Sequence, residues 1–448
     1  MQKALIVVIV SLICVSIGEA QEGDLGNSDS LFADVLESLT LNQCIEIALE
    51  RSPSTRIADL NLKLAELDVA DARAKYFPEV NVSGQYRFSD LIDPGWEQQN
   101  YDAQISASYQ IWDHGRRRAG LAQAKASQVA ERSDHNRTKQ NLIFSITEAY
   151  YNLLEAEKLI DVNEKLLEIS RGNVAKVTAF QEAGRSIPSD VATARVQQAN
   201  DELALINAQN NLDLARARLA SLMGLDPATI LEIQDDPEYA VYVNTALITS
   251  EVSLEDSISE AIQNRPELVK LKASLTSLMW SLKLARLDRW PVITAEYDYN
   301  VLLDDYLRDR DVFKRYRNWS AVARISFPIF DAGSSKRQEQ SAAIAVKQTE
   351  EDLTELERSI ALEVQQAYLS LQRAQKSLDI AREQVIDATE SLNITQGRYE
   401  QNMVIFLEIL SVQAGYAQSL TNQVKAFYDY KLAGKALQKA IGILQVEY

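Results

Sequence analysis

The sequence predicts a mixed α and β membrane protein made of two copies of one unit, each with long helices and two strands. Three observations favour this class. Landmarks of the first half return in the second half, and four segments alternate apolar and polar residues at the length of a transmembrane strand. Glycine and proline are also scarce, at 15 and 9 in 448 residues, which is typical of long helices.

The charge balance and the motif content exclude several classes of function. The formal net charge is −18, from 46 Lys and Arg against 64 Asp and Glu, whereas a nucleic-acid partner needs clustered basic residues. The two histidines, His114 and His135, make no metal-binding set. The chain has no phosphate-binding glycine loop, no nucleophile elbow and no Cys-x-x-Cys motif. We therefore expect no enzyme activity, no cofactor and no metal.

The N-terminal region predicts a secretory signal and a polar lead-in. Lys3 supplies the positive charge, Ala4–Ile17 is an apolar stretch of about 14 residues, and Gly18-Glu19-Ala20 suits cleavage. Because a spanning helix needs about 20 apolar residues, we expect residues 1–20 to be a signal peptide and not an anchor. Residues 21–38 are polar and predict a flexible segment. Cleavage leaves Cys44 as the single cysteine, which excludes an intrachain disulfide.

Residues 39–224 and 252–448 are predicted to be two structural repeats joined by a linker at residues 225–251. The matched pairs are Pro53 and Pro266, Pro78 and Pro291, Gly115 and Gly333, and Gly224 and Gly442. The two proline pairs share one spacing, and the two glycine pairs share a spacing that is about five residues longer. The extra residues therefore lie between Pro291 and Phe330. We expect the linker to be mainly loop, with a short apolar run at Tyr239–Val243 that suits a strand.

Each repeat has the same predicted plan of helices. A first helix of about 36 residues, a long helix of about 70 and a returning helix of about 36 follow from the proline positions and the apolar spacing. Their predicted ranges are Leu41–Tyr76, Asp113–Ala183 and Pro188–Met223, and then Leu254–Arg289, Asp331–Gln401 and Phe406–Ile441. The first and returning helices together match the long helix in length, so we expect them to stack end to end beside it.

Two strands lie between the first and the long helix of each repeat. Tyr101–Ile111, for example, alternates apolar and polar residues over the length of a strand that faces lipid on one side. An antiparallel sheet on a soluble core is the alternative. Four strands cannot close a barrel, since about eight are the fewest that close, and an open edge in lipid leaves backbone groups unpaired. We therefore expect oligomerisation, in which two chains would give 8 strands and three would give 12 with room for a channel.

Several motifs resemble the TolC family of bacterial outer-membrane efflux proteins. They are LTLNQCIEIAL from Leu39, YFP at Tyr76–Pro78, FPIFDAG at Phe327–Gly333, and RYEQN with FLEIL between Arg398 and Leu410. The resemblance covers the chain from Leu39 to its end. It implies a homotrimer with a 12-stranded β-barrel in outer-membrane lipid and a trimeric α-barrel that forms a tunnel through the periplasm.

The same resemblance implies a function and partners. The channel would be the exit duct of a tripartite efflux or type I secretion system, located in the bacterial outer membrane. It would dock a periplasmic adaptor (a membrane fusion protein) and an inner-membrane pump of the RND or ABC class. The alternative, from another class, is a soluble periplasmic coiled-coil scaffold or adaptor, which would share the helical hairpins but not the four amphipathic strands.

Two helix turns are the predicted docking tips. Gly184 can end a helix in the left-handed conformation, and Ser186 and Pro188 suit the start of the next helix. An ordinary helical-hairpin turn explains these residues equally well. The resemblance adds that the adaptor docks at both turns. The implied docking residues are Gly184, Arg185, Ser186, Ile187 and Pro188 in the first turn, and Asn402, Met403, Val404 and Phe406 in the second.

Glu408 is the predicted gate residue. The resemblance implies an acidic residue here at the narrow end of the tunnel, where three copies would form a ring that favours cations. The family often has a second acid three residues later, but this chain has Ser411. Asp190 is the equivalent of Glu408 in the first repeat. The alternative is that Glu408 is a solvated charge stabilised by the start of its helix.

Overall fold

A computed structural model of the chain describes residues 38–90, 97–244, 253–302 and 317–444. The predicted signal peptide, the lead-in up to residue 37 and part of the linker lie outside the described residues. The same is true of residues 303–316, which fall within the segment predicted to carry the insertion.

The elements of the first half are four helices and two strands. They are α1 (Leu41–Arg51), α2 (Pro53–Ala74), β1 (Glu79–Asp90), β2 (Glu97–Trp112), α3 (Arg116–Glu182) and α4 (Pro188–Leu222). A short helix, α5 (Pro237–Asn244), follows. The second half has the same order of elements: α6 (Leu254–Asn264), α7 (Pro266–Leu287), β3 (Val292–Leu302), β4 (Arg317–Ser326), α8 (Ser334–Glu400) and α9 (Phe406–Ile441).

The prediction of a single first helix in each half is wrong, because a proline divides this helix into two. Ser52 and Arg265 have extended backbone, and the next residue, Pro53 or Pro266, begins a new helix. Proline lacks an N–H and clashes with the carbonyl four residues earlier, and it disfavours helical backbone in the residue before it. The two long helices agree with the prediction. Each has 67 residues, which gives about 100 Å at 1.5 Å per residue.

The linker forms a helix where a short strand was expected. Asp236 caps α5, because its carboxylate accepts a hydrogen bond from the Glu238 N–H at 2.9 Å. Tyr242 is buried and its hydroxyl donates to the Leu378 carbonyl at 2.8 Å. The less exposed residues of this segment, Tyr239 and Tyr242, lie three positions apart, as on one face of a helix. A run of five consecutive apolar residues did not reveal this spacing.

A small separate unit contains residues 38–40 and 230–234. Within it Leu39 and Ile233 form a parallel β-bridge. The Leu39 N–H donates to the Glu232 carbonyl, and the Gln234 N–H donates to the Leu39 carbonyl, both at 2.9 Å.

The four strands form one antiparallel sheet in the order β1-β2-β3-β4. Its polar face has cross-strand contacts, in which Gln104 donates to Asp298 at 3.0 Å and Arg324 donates to Glu296 at 2.9 Å. Its other face has exposed apolar side chains, among them Val82, Ile105, Tyr297 and Ile325. The alternative prediction requires this face of the sheet to cover a soluble core, and the face does not do so.

Helix α3 is the central helix of the larger unit. It has α2 and α4 on one flank and α7 and α9 on the other, whereas α8 packs on α6, α7 and α9 in the part of the chain that the structure describes. Gly224 lies against the backbone of Arg51, and Gly442 lies against Asn264 and Arg265. The returning helices thus end where the first helices divide, which confirms the predicted end-to-end stacking. None of the described helices is long and apolar enough to cross a membrane.

Candidate functional site at the paired helix tips

The first tip (residues 183–187) is a Schellman turn. Gly184 has a φ of +75°, the Gly184 N–H donates to the Gln181 carbonyl, and the Arg185 N–H donates to the Phe180 carbonyl. These two bonds satisfy carbonyl groups that the end of α3 leaves without partners. The left-handed conformation predicted for Gly184 is confirmed.

The second tip (residues 401–405) has the same turn with asparagine in place of glycine. Asn402 has a φ of +59°, and the bonds run from the Asn402 N–H to the Tyr399 carbonyl and from the Met403 N–H to the Arg398 carbonyl. Asparagine tolerates this conformation better than other residues with a side chain. Asn402 therefore has a structural role that explains its presence without any partner.

The returning helices start with an isoleucine and not with a capping serine. Ile187 and Ile405 are the extended residues that precede α4 and α9, and Pro188 is the first residue of α4. Ser186 is therefore not the cap that the sequence suggested. Its hydroxyl donates to the Asp190 carboxylate at 2.8 Å, one turn into α4.

An apolar cluster joins the two tips of one chain. The buried members are Val177, Val191, Ala194, Tyr399, Phe406 and Ile409. Phe406 is only 3% exposed, which corrects its prediction as a docking residue, since its ring anchors the start of α9. Burial raises the pKa of the Tyr399 hydroxyl, and the Asp190 carboxylate raises it further. Ser186 and Arg185 lower this pKa, but by less.

Polar contacts also hold the two tips together. Lys176 of α3 contacts the Glu400 carboxylate of α8 at 2.6 Å, and Arg185 donates to the Glu400 carbonyl at 2.9 Å. Deeper in the bundle, the Asn173 amide donates to the Gln413 side chain at 2.9 Å. These residues could not be identified from the sequence, because only the fold reveals pairs that lie more than 200 positions apart.

The three predicted gate residues lie near the tips. Glu408 and Asp190 are acidic residues in the first turns of α9 and α4. The Glu408 carboxylate is 46% exposed and lies 3.9 Å from the Arg398 guanidinium. Ser411 is also exposed, one turn further along α9. Asp190 has the closer partner within the chain, because its carboxylate accepts a hydrogen bond from the Ser186 hydroxyl at 2.8 Å.

The surface of the tips is partly apolar. Among the predicted docking residues, Gly184, Arg185, Ile187, Pro188, Asn402 and Met403 are exposed, whereas Ser186 and Val404 are partly buried. Ile405 and Leu407 are exposed as well and belong to the same surface, although they are not among the predicted docking residues. Among the described residues, no group of three or more His, Cys, Asp or Glu side chains is placed to hold a metal ion.

A family comparison identifies this architecture. The model of the family "Outer membrane efflux protein" matches residues 44–225 and 257–443. Protein CyaE of Bordetella pertussis is 24% identical over 420 residues, which cover 92% of this chain and 86% of CyaE. The outer membrane protein TolC of Vibrio cholerae is 22% identical and covers 84% of each chain.

Solved structures share the fold at lower identity. The outer-membrane channel OprN has a TM-score of 0.77 at 20% identity, over 90% of this chain and 89% of OprN. The outer membrane protein VceC from Vibrio cholerae has a TM-score of 0.75 at 19% identity, over 90% and 96% of the two chains. The family match excludes the soluble scaffold, and the resemblance noted in the sequence is confirmed. The chain belongs to the outer membrane efflux protein family and is located in the outer membrane.

Proposed function

We propose that three copies of this chain form a closed ring that serves as the exit duct of a tripartite efflux or type I secretion system. In this proposal residues 39–224 and 252–448 are two repeats, so that six repeats surround one tunnel. The interface between the two repeats of a chain is then the template for the interface between chains.

The exposed edge of α8 carries this proposal. Val162 of α3 is 9% exposed, whereas Ile380, at the equivalent position of α8, is 65% exposed. Tyr151 and Leu369 differ in the same way, at 8% and 53%. Apolar residues that α3 buries against its second flank thus have uncovered apolar equivalents on α8, which a further helix layer would bury.

The opposite edge offers a matching surface. A stripe of apolar residues on α2 is exposed, namely Ile57, Leu60, Leu64 and Leu67. At the equivalent positions of α7, Lys270 contacts Asp134 of α3 and Ser277 contacts Ser127 of α3. By this template the α2 stripe packs on α8 of the next chain, and α4 continues the same edge toward the tips.

Because the two edges differ, the contact is heterologous and closes a ring. The strand edges β1 and β4 would pair between chains in the same way, which removes the open edges that lipid does not tolerate. Three chains give 12 strands and leave room for a channel, whereas two give about the smallest closed barrel. The polar face of the sheet would line that channel.

Stoichiometry tests this proposal directly. The protein purified in detergent should have the mass of a trimer by light scattering after subtraction of the detergent. A monomer or a dimer under the same conditions would contradict it.

We further propose that the exposed tip surface docks a periplasmic adaptor that links the duct to an inner-membrane pump of the RND or ABC class. Ile187, Met403, Ile405 and Leu407 give each chain an apolar surface at this end. The double variant Met403→Asp, Ile187→Asp should abolish export and capture of the adaptor while the trimer persists. Val129→Asp is the matched control, because Val129 is exposed on α3 far from the tips. Loss of the trimer in the tip variant would make these residues structural.

Glu408 is the proposed gate residue, with Asp190 and Ser411 beside it. Three Glu408 carboxylates around a narrow axis would favour cations, without a second acidic ring because position 411 is serine. Glu408→Gln should reduce cation selectivity in a planar bilayer, measured as the reversal potential in a salt gradient, and Ser411→Ala should leave it unchanged. An unchanged reversal potential for Glu408→Gln would remove Glu408 from the constriction.

A further inference from the structure

We infer that three basic residues of each chain, Arg73, Arg118 and Lys336, bind the headgroups of anionic phospholipids where the sheet meets the helices. These three residues are called the basic collar below. The inference rests on the proposed function in one respect, namely that the polar face of the sheet lines the channel and the apolar face contacts lipid. In that arrangement the helices lie in the periplasm, so the collar meets the periplasmic leaflet of the outer membrane.

Aromatic side chains mark the level of the membrane interface. Trp112 ends β2 and Trp290 lies just before β3, and both are exposed. His114 lies between them, because its ring stacks on Trp290 with the centroids 4.2 Å apart and meets the edge of Trp112 at 5.1 Å. Tryptophan is enriched at the level of the lipid headgroups. The headgroups therefore meet the chain at the junctions between strands and helices.

The basic collar lies at these junctions, on the helix side. Arg118 and Lys336 are the third residues of α3 and α8, at equivalent positions of the two halves, and Arg73 is the last residue but one of α2. All three are exposed. The start of a helix favours acidic side chains and disfavours basic ones, yet neither α3 nor α8 has an acid in its first turn. Helix stability therefore does not explain Arg118 and Lys336.

The collar also differs from its neighbours in having no partner for its charge. Other basic residues at this level are paired with carboxylates, in the ion pairs Arg116–Asp288, Arg117–Asp113 and Arg286–Glu339. A further carboxylate, Asp331, caps α8 through the Gly333 and Ser335 N–H groups. Within the described residues, the collar side chains form no ion pair and no hydrogen bond. Their charges are therefore available to a ligand outside the chain.

The collar lies on the side of the helices that faces away from the polar face of the sheet. A groove on the polar side is lined by Gln110 of β2, Lys75 of α2 and Gly120 of α3, among others. At 3.6 residues per turn, Arg73 is about 160° from Lys75 around α2, and Arg118 is about 160° from Gly120 around α3. Lys336 has the equivalent position on α8. The collar thus shares its side with the exposed apolar residues of the sheet.

Charge complementarity identifies the ligand as an anionic phospholipid. The whole chain has a formal net charge of −18, so an anionic membrane surface repels it in general and is attracted only at a local excess of basic residues. A basic residue near an anionic membrane surface contributes about fivefold in affinity. A zwitterionic headgroup offers less, because its own cation offsets the phosphate. The collar should therefore select phosphatidylglycerol over phosphatidylcholine.

Tryptophan quenching in vesicles tests this selection. The chain has five tryptophans, and replacement of Trp96, Trp280 and Trp319 by phenylalanine leaves Trp112 and Trp290 as reporters beside the collar. The protein is reconstituted in phosphatidylcholine vesicles that contain either brominated phosphatidylglycerol or brominated phosphatidylcholine. The ratio of the two quenching constants measures the lipid preference, first at low salt and then in about 0.5 M NaCl, which screens charges beyond a few ångströms.

Two pairs of substitutions, made in this background, separate the collar from the overall charge. Arg118→Gln with Lys336→Gln removes two collar charges. Arg132→Gln with Lys347→Gln is the matched control, because it removes one arginine of α3 and one lysine of α8 that are also exposed. These residues lie about 16 to 21 Å further along their helices, which is beyond the screening length of about 8 Å at physiological salt.

The parent protein should prefer phosphatidylglycerol by about fivefold at low salt and lose this preference at high salt. The collar pair should bring the ratio close to one, and the control pair should leave it unchanged. The inference is overturned if the parent shows no preference, if the collar pair keeps it, or if both pairs lower it equally. Light scattering on the same preparations keeps the two proposals apart. A trimer without lipid preference overturns only the collar, whereas a monomer overturns the proposed ring.

Discussion

The two long helices, α3 and α8, have the same length and opposite surroundings. Helix α3 has helices on both flanks, whereas α8 has them on one flank among the described residues. The two helices differ less in sequence than in burial. Helix α8 has apolar residues at positions equivalent to those where α3 buries apolar residues. Equal lengths with unequal burial support the proposed ring, in which other copies of the chain supply the remaining contacts of α8.

The largest expected effect separates Val162 from Ile380. Val162→Asp places a charge at a site buried within the chain, so it should destabilise the fold by several kcal/mol and prevent refolding. Ile380→Asp should leave the chain folded with its helical circular dichroism intact but abolish the trimer. Equal loss of folding in both variants would mean that α8 is already covered within one chain.

The second expected effect concerns the start of the returning helices. Phe406→Ala removes a buried ring and should cost about 3–5 kcal/mol of local stability, seen as faster amide exchange at the second tip. Its equivalent Pro188 is exposed, so Pro188→Ala should cost about 1 kcal/mol or less. Similar exchange rates in the two variants would contradict the assigned packing of Phe406.

The third expected effect compares glycines with the same backbone conformation. At Gly224 an added Cβ would lie 3.0 Å from the Arg51 carbonyl oxygen, whereas at Gly184 it would meet nothing within 4 Å. Gly184→Ala should therefore cost about 1 kcal/mol from its left-handed backbone alone. Gly224→Ala should lower the unfolding temperature further, because the Arg51 backbone would have to move away from the added Cβ. If Gly224→Ala is the milder variant, the stacking of α1 and α4 is wrong.

The smallest expected effect is a dependence on pH. Burial raises the pKa of the Asp134 carboxyl, but its contacts with Lys270 and Arg137 outweigh burial and hold the pKa below its usual value. The carboxylate therefore stabilises the fold above about pH 4, the unfolded value, and this contribution is lost as pH falls through the folded pKa. Because both partners are partly exposed, we expect less than about 1 kcal/mol.

Thermal unfolding at acidic pH measures this contribution. Lys270→Met should reduce the loss of stability on acidification. Asp352→Asn is the comparison, because Asp352 is the α8 equivalent of Asp134 and faces the position of Ile57 in the proposed ring. It should change the acid dependence less than Lys270→Met does.

Much of the fold followed from local signals in the sequence. Alternation predicted the strands, and the Pro188 and Gly184 positions predicted the first turn to within a residue. The break at Pro53 was missed because the apolar spacing continues on both sides of it. The Lys176–Glu400 and Asn173–Gln413 contacts could not be predicted, because nothing local to either residue tells which distant helix it will face.

The most direct test of the central claim is a cysteine pair across the proposed between-chain interface. Within the chain, the Ser127 and Ser277 hydroxyl oxygens lie 3.0 Å apart between α3 and α7. Their equivalents are Ala345 on α8 and Leu64 on α2, which should meet only between neighbouring chains. Burial raises the pKa of the Cys44 thiol to about 12, and Cys44→Ala removes it as a competitor.

Oxidation of the Ala345→Cys, Leu64→Cys double variant should give a covalent trimer on a non-reducing gel. Ser127→Cys with Ser277→Cys should give a disulfide within one chain and no covalent oligomer, which shows that oxidation works at this spacing. A double variant that stays a single chain after oxidation, while the control pair forms its disulfide, would contradict the proposed ring.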